Sequence, residues 1–189
     1  MIRAGATLTN PVTGFRLHFR RTAAETNGEL LEVEATYAAF SARPPEHYHP
    51  EQREDFEMLA GGVRVCIAGT VRDLGPGEKL RIGVGVRHAM WNPRGEEARM
   101  LWQVRPALKT EALFEVLMFL AERGRTDRRG APRLLDLAVL SRHYRREMAL
   151  ARPPRAVQAL VFGALAPLGQ LLGTRPEAPA EWASGAQPA

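Results

Sequence analysis

The hydrophobic pattern changes period near the middle of the chain. Up to about residue 107 apolar and polar positions alternate, the period of a half-buried strand. "GELLEVEATYAAF" sets Leu31, Val33, Ala35 and Tyr37 against Glu32, Glu34 and Thr36. "EEARMLWQVRPAL" sets Met100, Trp102 and Val104 against Arg99, Leu101, Gln103 and Arg105. The first set of this pair is the more apolar and is expected in the core. Between the two, "GGVRVCIAGTVRDLGPGEKLRI" reads as strands broken by turns at "IAGT" and "LGPGE". Short strands with regularly spaced glycine turns predict a mainly β fold, a small antiparallel β-barrel or sandwich.

From residue 108 the period becomes helical. "TEALFEVLMFLAERG" puts Leu113, Leu117 and Leu120 on one face, with Gly124 as a stop. "RLLDLAVLSRHYRREMALA" predicts a second amphipathic helix, and "PPRAVQALVFGALAPLGQLLG" a third, opened by Pro154 and closed by Gly173. The Pro/Ala-rich tail reads as disordered, with Trp182 able to dock. The expected organisation is a β unit over 1–107, a helical extension over 108–174 and a tail over 175–189, with no internal repeat.

Composition narrows the class without naming a function. The chain has 189 residues, 45% of them apolar and 25% charged, which supports one globular core. Net charge is +5 and nearly all the cations are arginines, Lys79 and Lys109 being the only lysines. The arginine-rich loop 123–133 lacks interleaved aromatics or a reader motif, so no nucleic-acid partner is expected. One cysteine, Cys66, excludes an internal disulfide and reads as a half-buried structural thiol. With no signal peptide legible at the N-terminus, the expected location is cytoplasmic.

Candidate chemistry concentrates in "HYHPEQREDFEMLAGG". On a strand, His47 and His49 share a face, about 6.5–7 Å apart at the base, and both imidazoles can turn to one ion. A carboxylate could complete the set. Glu51 continues their parity, but Pro50 interrupts the ladder. If the chain turns after His49, Glu54 starts the next strand facing inward, with Phe56 and Met58 behind it and Glu57 outward. His18 and His143 have no partner at metal-ligand spacing.

The spacing resembles a known family. His47, His49, Glu54 and Gly61 fit H-x-H, four residues, E, six residues, G. Gly77, five residues, "GVG" (Gly83–Gly85), two residues, His88, three residues and Asn92 fit a second element, with Gly83 where proline is usual. Together they resemble the two motifs of the cupin superfamily over roughly residues 30–107. The resemblance implies a cupin or jelly-roll β-barrel with C-terminal helices outside it. It implies one divalent transition metal on His47, His49, Glu54 and His88, with Asn92 as a turn residue. Fe, Mn, Ni, Cu and Zn all suit such a donor set, which leaves an ion with a net charge of about +1. Tyr48, Phe56, Met58, Met100 and Trp102 are the candidate substrate-binding residues.

From this follow the functional expectations. The leading one is a metal-dependent enzyme, dioxygenase-like, acting on a small organic molecule; isomerase chemistry is a variant. The alternative is a non-catalytic small-ligand-binding or sensory module. Tyr48 and Glu51 are weak candidates for an acid or base. A homodimer is expected from the resemblance. The uncharged run 156–174, after a cluster of arginines, suits membrane contact, but Pro167 and two glutamines weigh against spanning, and packing on the barrel or a dimer mate is preferred.

Overall fold

The computed structural model describes residues 2–179 and residue 182. Two antiparallel sheets face each other, and three helices follow. One sheet holds β1 (Thr7–Thr9), β2 (Arg16–Arg21), β3 (Leu31–Tyr37), β5 (Arg53–Ala60), β8 (Lys79–Ile82) and β10 (Ala98–Arg105), in the order β1-β2-β3-β10-β5-β8. The other holds β4 (His47–Tyr48), β6 (Val63–Ile67), β7 (Thr70–Leu74), β9 (His88–Trp91) and β11 (Ala149–Leu150), in the order β11-β4-β9-β6-β7. This is the jelly-roll form that the sequence implies, a sandwich and not a closed barrel, since among the described residues no ladder joins the two sheets.

Register explains why the alternating runs find the core. Antiparallel partners project to the same face. Met100 lies opposite Ala35 and Met58, Trp102 opposite Val33 and Phe56, and Val104 opposite Leu31 and Glu54. All but the acid are apolar, and all are buried. Glu54 therefore enters the interior in a row otherwise made of hydrocarbon. The opposite parity, Arg99, Gln103 and Arg105, faces outward; Arg105 lies 4.0 Å from Asp55 in an open surface concavity.

Turn chemistry fixes the strand ends. Ala68 and Gly69 both have positive φ, the two-residue hairpin expected at "IAGT". Gly61 has φ 66°, and a Cβ there would collide with the Glu97 carbonyl oxygen. Asn92 is fully buried and holds its loop by donating to Ala38 O (3.1 Å) and Glu96 O (2.6 Å) and accepting from Arg94 N–H (2.9 Å). Asn92→Ala strands these groups, and a stability loss of about 3 kcal/mol is expected in urea titration.

The helical half agrees with its pattern with one exception. α1 (Thr110–Glu122) packs Phe114 on Trp102 at 5.4 Å between ring centroids and sends Met118 into the sandwich core. Its other side joins Leu140 and Tyr144 of the following segment. α2 (Leu134–His143) is shorter than the sequence suggests. The chain turns after His143, and Ala149–Leu150 becomes β11, paired to β4. Periodicity could not show this, because the competing partner is a strand about 100 residues away. α3 (Arg155–Leu171) packs on α2 through Phe162, Ala166 and Gly169.

Of two smaller expectations, one changes and the docking of Trp182 is met. Cys66 is buried rather than half-buried, because residue Glu46 covers it and accepts its S–H at 3.4 Å. Trp182 stacks edge-on against Phe119 and donates to Glu122; the rest of the tail expected to be disordered lies, from residue 180 on, outside the described residues.

Candidate metal centre

Two neighbouring strands, β4 and β9, deliver the histidines to one point. β4 and β9 are neighbours, and His47 lies directly opposite His88, so both project to the same face. His49 follows on the same parity, just past the strand end. Its carbonyl accepts from Gly85 N–H at 2.9 Å, which ties the first motif to the turn preceding β9. The imidazole ligand atoms of His47, His49 and His88 lie within 4.8 Å of one another.

Glu54 comes from the opposing sheet. Its Oε2 stands 3.2 Å from His49 Nε2 and 3.1 Å from His88 Nε2. His49, His88 and Glu54 are all buried. The other carboxylate candidate, Glu51, is at the surface, where it accepts from Arg146 at 2.8 Å. The turn at Pro50 separates the two acids: Glu51 stays in the loop and Glu54 begins the inward row of β5.

The outer side of each ring is already committed. His47 Nδ1 is 3.1 Å from Pro45 O, His49 Nδ1 2.6 Å from Glu147 O, and His88 Nδ1 3.0 Å from Val86 O. A carbonyl can only accept, so each Nδ1 carries a proton, and a ring without a second proton turns its Nε2 lone pair inward. Two of the inner atoms, His49 Nε2 and Glu54 Oε2, are buried without a hydrogen-bond partner of acceptable geometry. Acceptors about 3 Å apart repel unless a proton or a cation stands among them. That spacing suits adjacent ligands on an ion with bonds of about 2.1 Å. The residues present therefore fit a divalent metal.

Electrostatics point the same way. Burial and the neighbouring imidazoles of His88 and His49 push His47 down to about 3, so it stays neutral. Burial opposes charge on His49, but the Glu54 carboxylate and the Glu147 carbonyl outweigh it and raise its pKa. Burial likewise opposes ionisation of Glu54, yet the His49 and His88 imidazoles beside it hold its carboxyl well below the usual range. The acid is ionised, and Trp102 Nε1 donates to its other oxygen, Oε1, at 3.0 Å.

The expected lining residues divide. Phe56, Met58, Met100 and Trp102 belong to the buried core, with Phe56 and Trp102 stacked 6.0 Å apart. Tyr48 alternates to the other face of β4, pairing with Ala149 of β11. Three contributors were not recognised in the sequence. The Glu147 carbonyl comes from the helical half and carries no side-chain signal. Trp102 was legible as core but not as the group that orients Glu54. Tyr37 was placed on the inward parity of β3 without a role; burial and the nearby Glu54 charge raise its pKa.

Residues 34–104 match the family model described as Cupin domain. Among solved structures, the chain is similar to KdgF from Halomonas sp., with a TM-score of 0.45 and 15% identity over 52% of this chain and 85% of that one. It is similar to a cupin-superfamily sugar phosphate isomerase from Silicibacter pomeroyi, with a TM-score of 0.42 and 18% identity over 49% of this chain and 59% of that one. For the DMSP lyase DddQ from Ruegeria pomeroyi the TM-score is 0.38, with 26% identity over 43% of this chain and 41% of that one. A comparison with curated proteins finds no match. The matched stretch runs from β3 to β10, and the three helices lie outside it. Among the described residues no helix is long and apolar enough to cross a membrane.

Proposed function

We propose that the protein is a metal-dependent cupin enzyme. It holds one divalent transition metal, Fe, Mn, Ni, Cu or Zn, on His47, His49, Glu54 and His88 and acts on a small organic molecule. The observation that carries this reading is the convergence of three imidazole Nε2 atoms whose Nδ1 atoms are each committed to a backbone carbonyl. When bound, the metal would supply Lewis acidity or oxygen activation, and a dioxygenase-like oxidoreductase reaction is the one we favour.

The chain's own groups have separate tasks. Trp102 and the two imidazoles fix the carboxylate of Glu54. Phe56, Met58 and Met100, packed in the core behind Glu54, keep water from the interior side. Tyr48, on the far face of β4, takes no part in this packing. The Tyr37 phenol, held protonated at neutral pH, is suited to donate a proton rather than to remove one. Tyr37→Phe is expected to lower turnover about 100-fold while metal content stays at the wild-type level, as measured by steady-state kinetics beside elemental analysis. The single buried cysteine supports a reducing, cytoplasmic setting.

A second reading is favoured by one contact, the Glu147 carbonyl on His49. It joins the helices to the site and suits a non-catalytic ligand-binding or sensory module. The deciding experiment measures metal content by mass spectrometry and oxygen uptake with aromatic and keto-acid panels. Metal with uptake is the expected result. Metal without uptake, but with a ligand-induced rise in Tm, transfers the protein to the second reading. Absence of metal after loading with each ion removes both.

A further inference from the structure

α3 has two apolar faces, and α2 uses only one of them. Gln158, Phe162, Ala166 and Gly169 are buried. At about 100° per residue, Val157, Leu160, Val161, Ala164, Leu168 and Leu171 fall within a separate arc about 100° wide. That arc is bare: Leu160 is 76% exposed, Leu171 85% and Leu168 46%. From Ala156 to Thr174 the chain carries no charged side chain. A solvated helix face of this kind normally carries charge. The bare apolar area is on the order of 600 Å², at the upper end of what a monomer leaves open and near the lower end of what each partner gives to a stable dimer.

We propose that the occupant is a second copy of this chain, whose α3 packs antiparallel on the first with the two-fold axis at Ala164. Apart from Val161, whose mirror position is Pro167, the arc is palindromic about that residue: reflection through 164 exchanges 157 with 171 and 160 with 168, and leaves 164 on itself. Each copy therefore offers Val157 to Leu171 and Leu160 to Leu168, the self-complementarity that a two-fold interface requires. The small side chain at the axis lets the helices approach closely. The repeat of seven between 157, 164 and 171, and between 161 and 168, is the seam spacing of paired helices.

Charge agrees with this arrangement. Arg155 is exposed and makes no ion pair among the described residues. In the antiparallel pair it falls opposite Gly173 of the second copy, where the carbonyls at the helix C-terminus are electronegative. A lipid surface is the poorer occupant. Interfacial helices carry basic residues along the polar face and aromatic ones on the apolar face. α3 carries no charge on any side after Arg155, and its one aromatic, Phe162, is buried against α2.

The test uses the full chain in sedimentation equilibrium at micromolar concentration. The wild type is expected to be a dimer. The double variant Leu160→Glu/Leu171→Glu is expected to be a monomer with the wild-type circular dichroism and a Tm that no longer depends on protein concentration, since both side chains are exposed. Under mild oxidation Ala164→Cys should form a disulfide-linked dimer, because the axis brings its two copies together. Val157→Cys should not, its copies standing about 20 Å apart along the antiparallel pair. Native Cys66 is buried and leaves both readouts clean. A monomeric wild type overturns the proposal, as does a dimer that survives the double variant. Cross-linking of Val157→Cys as efficient as that of Ala164→Cys overturns the antiparallel arrangement. Co-flotation of monomeric wild type with phosphatidylglycerol vesicles would give the face to lipid instead.

Discussion

His88→Ala is expected to abolish stoichiometric metal binding. In the wild type, His88 stands opposite His47 on the neighbouring strand and reaches Glu54 at 3.1 Å from the inner side of the site. Its ring cannot be replaced by a neighbour, because the other two imidazoles are pinned through Nδ1 to Pro45 O and Glu147 O. Loss of an outer-shell partner alone commonly costs about 10–100-fold in affinity, so loss of a ligand should cost more than about 100-fold. Calorimetry with Co(II) or Mn(II) reads the affinity directly. A second readout is thermal. Metal at about 1,000 times its Kd stabilises a folded protein by about 4 kcal/mol, and the variant should lose that metal-dependent rise in Tm. His18→Ala and His143→Ala serve as controls. His18 bonds to Thr7 on an exposed strand, and His143 neighbours Lys109 at the end of α2. Neither should change metal binding. Wild-type affinity in His88→Ala would remove the four-ligand site.

The second large effect is on pH. Without metal, the His49–Glu54 pair holds a proton. The pKa of His49 is raised above its ordinary 6.5, with burial opposing the shift and Glu54 prevailing. Its contribution to folding is therefore fully present below about 6.5 and lost as pH rises through the raised value. Glu54 is depressed below its ordinary 4.5, so its contribution is present above about 4.5 and lost as pH falls through the lowered value. The metal-free protein gains from the pair in the window between. A metal must displace that proton. Affinity is expected to rise about tenfold per pH unit until the raised pKa of His49 is passed, then to level off. His47, held near 3, adds no slope in that range. Glu54→Gln removes the partner that raises His49, so the break should move to lower pH. Calorimetry in buffers of different ionisation enthalpy counts the proton released. An affinity independent of pH from mildly acidic to alkaline conditions would refute the linkage.

Much of this was readable before any coordinates. Alternation in 31–37 and 98–105 chose the buried parity correctly, because a strand with one buried face can satisfy the hydrophobic effect in only one register. The spacing of the two histidine motifs picks out the three imidazoles that converge, and Glu54 stands beside two of them. The choice between Glu51 and Glu54 could not be made from parity, since Pro50 ends the pattern that parity needs. It rested on the resemblance, and the fold separates the two acids as that resemblance implies, one at the surface with Arg146 and one in the interior.

The sequence by itself determined the strand faces, the helices α1 and α3 and the residue types available to a metal, because these follow from local periodicity and short-range turn chemistry. Only the tertiary structure decided that two sheets stack without closing, that the second helix yields after His143 to a strand on β4, and that Glu147 lends its carbonyl to His49 from 98 positions away. Such contacts join groups distant in the chain, and a backbone carbonyl looks the same at every residue. No local pattern can record which partner it will meet.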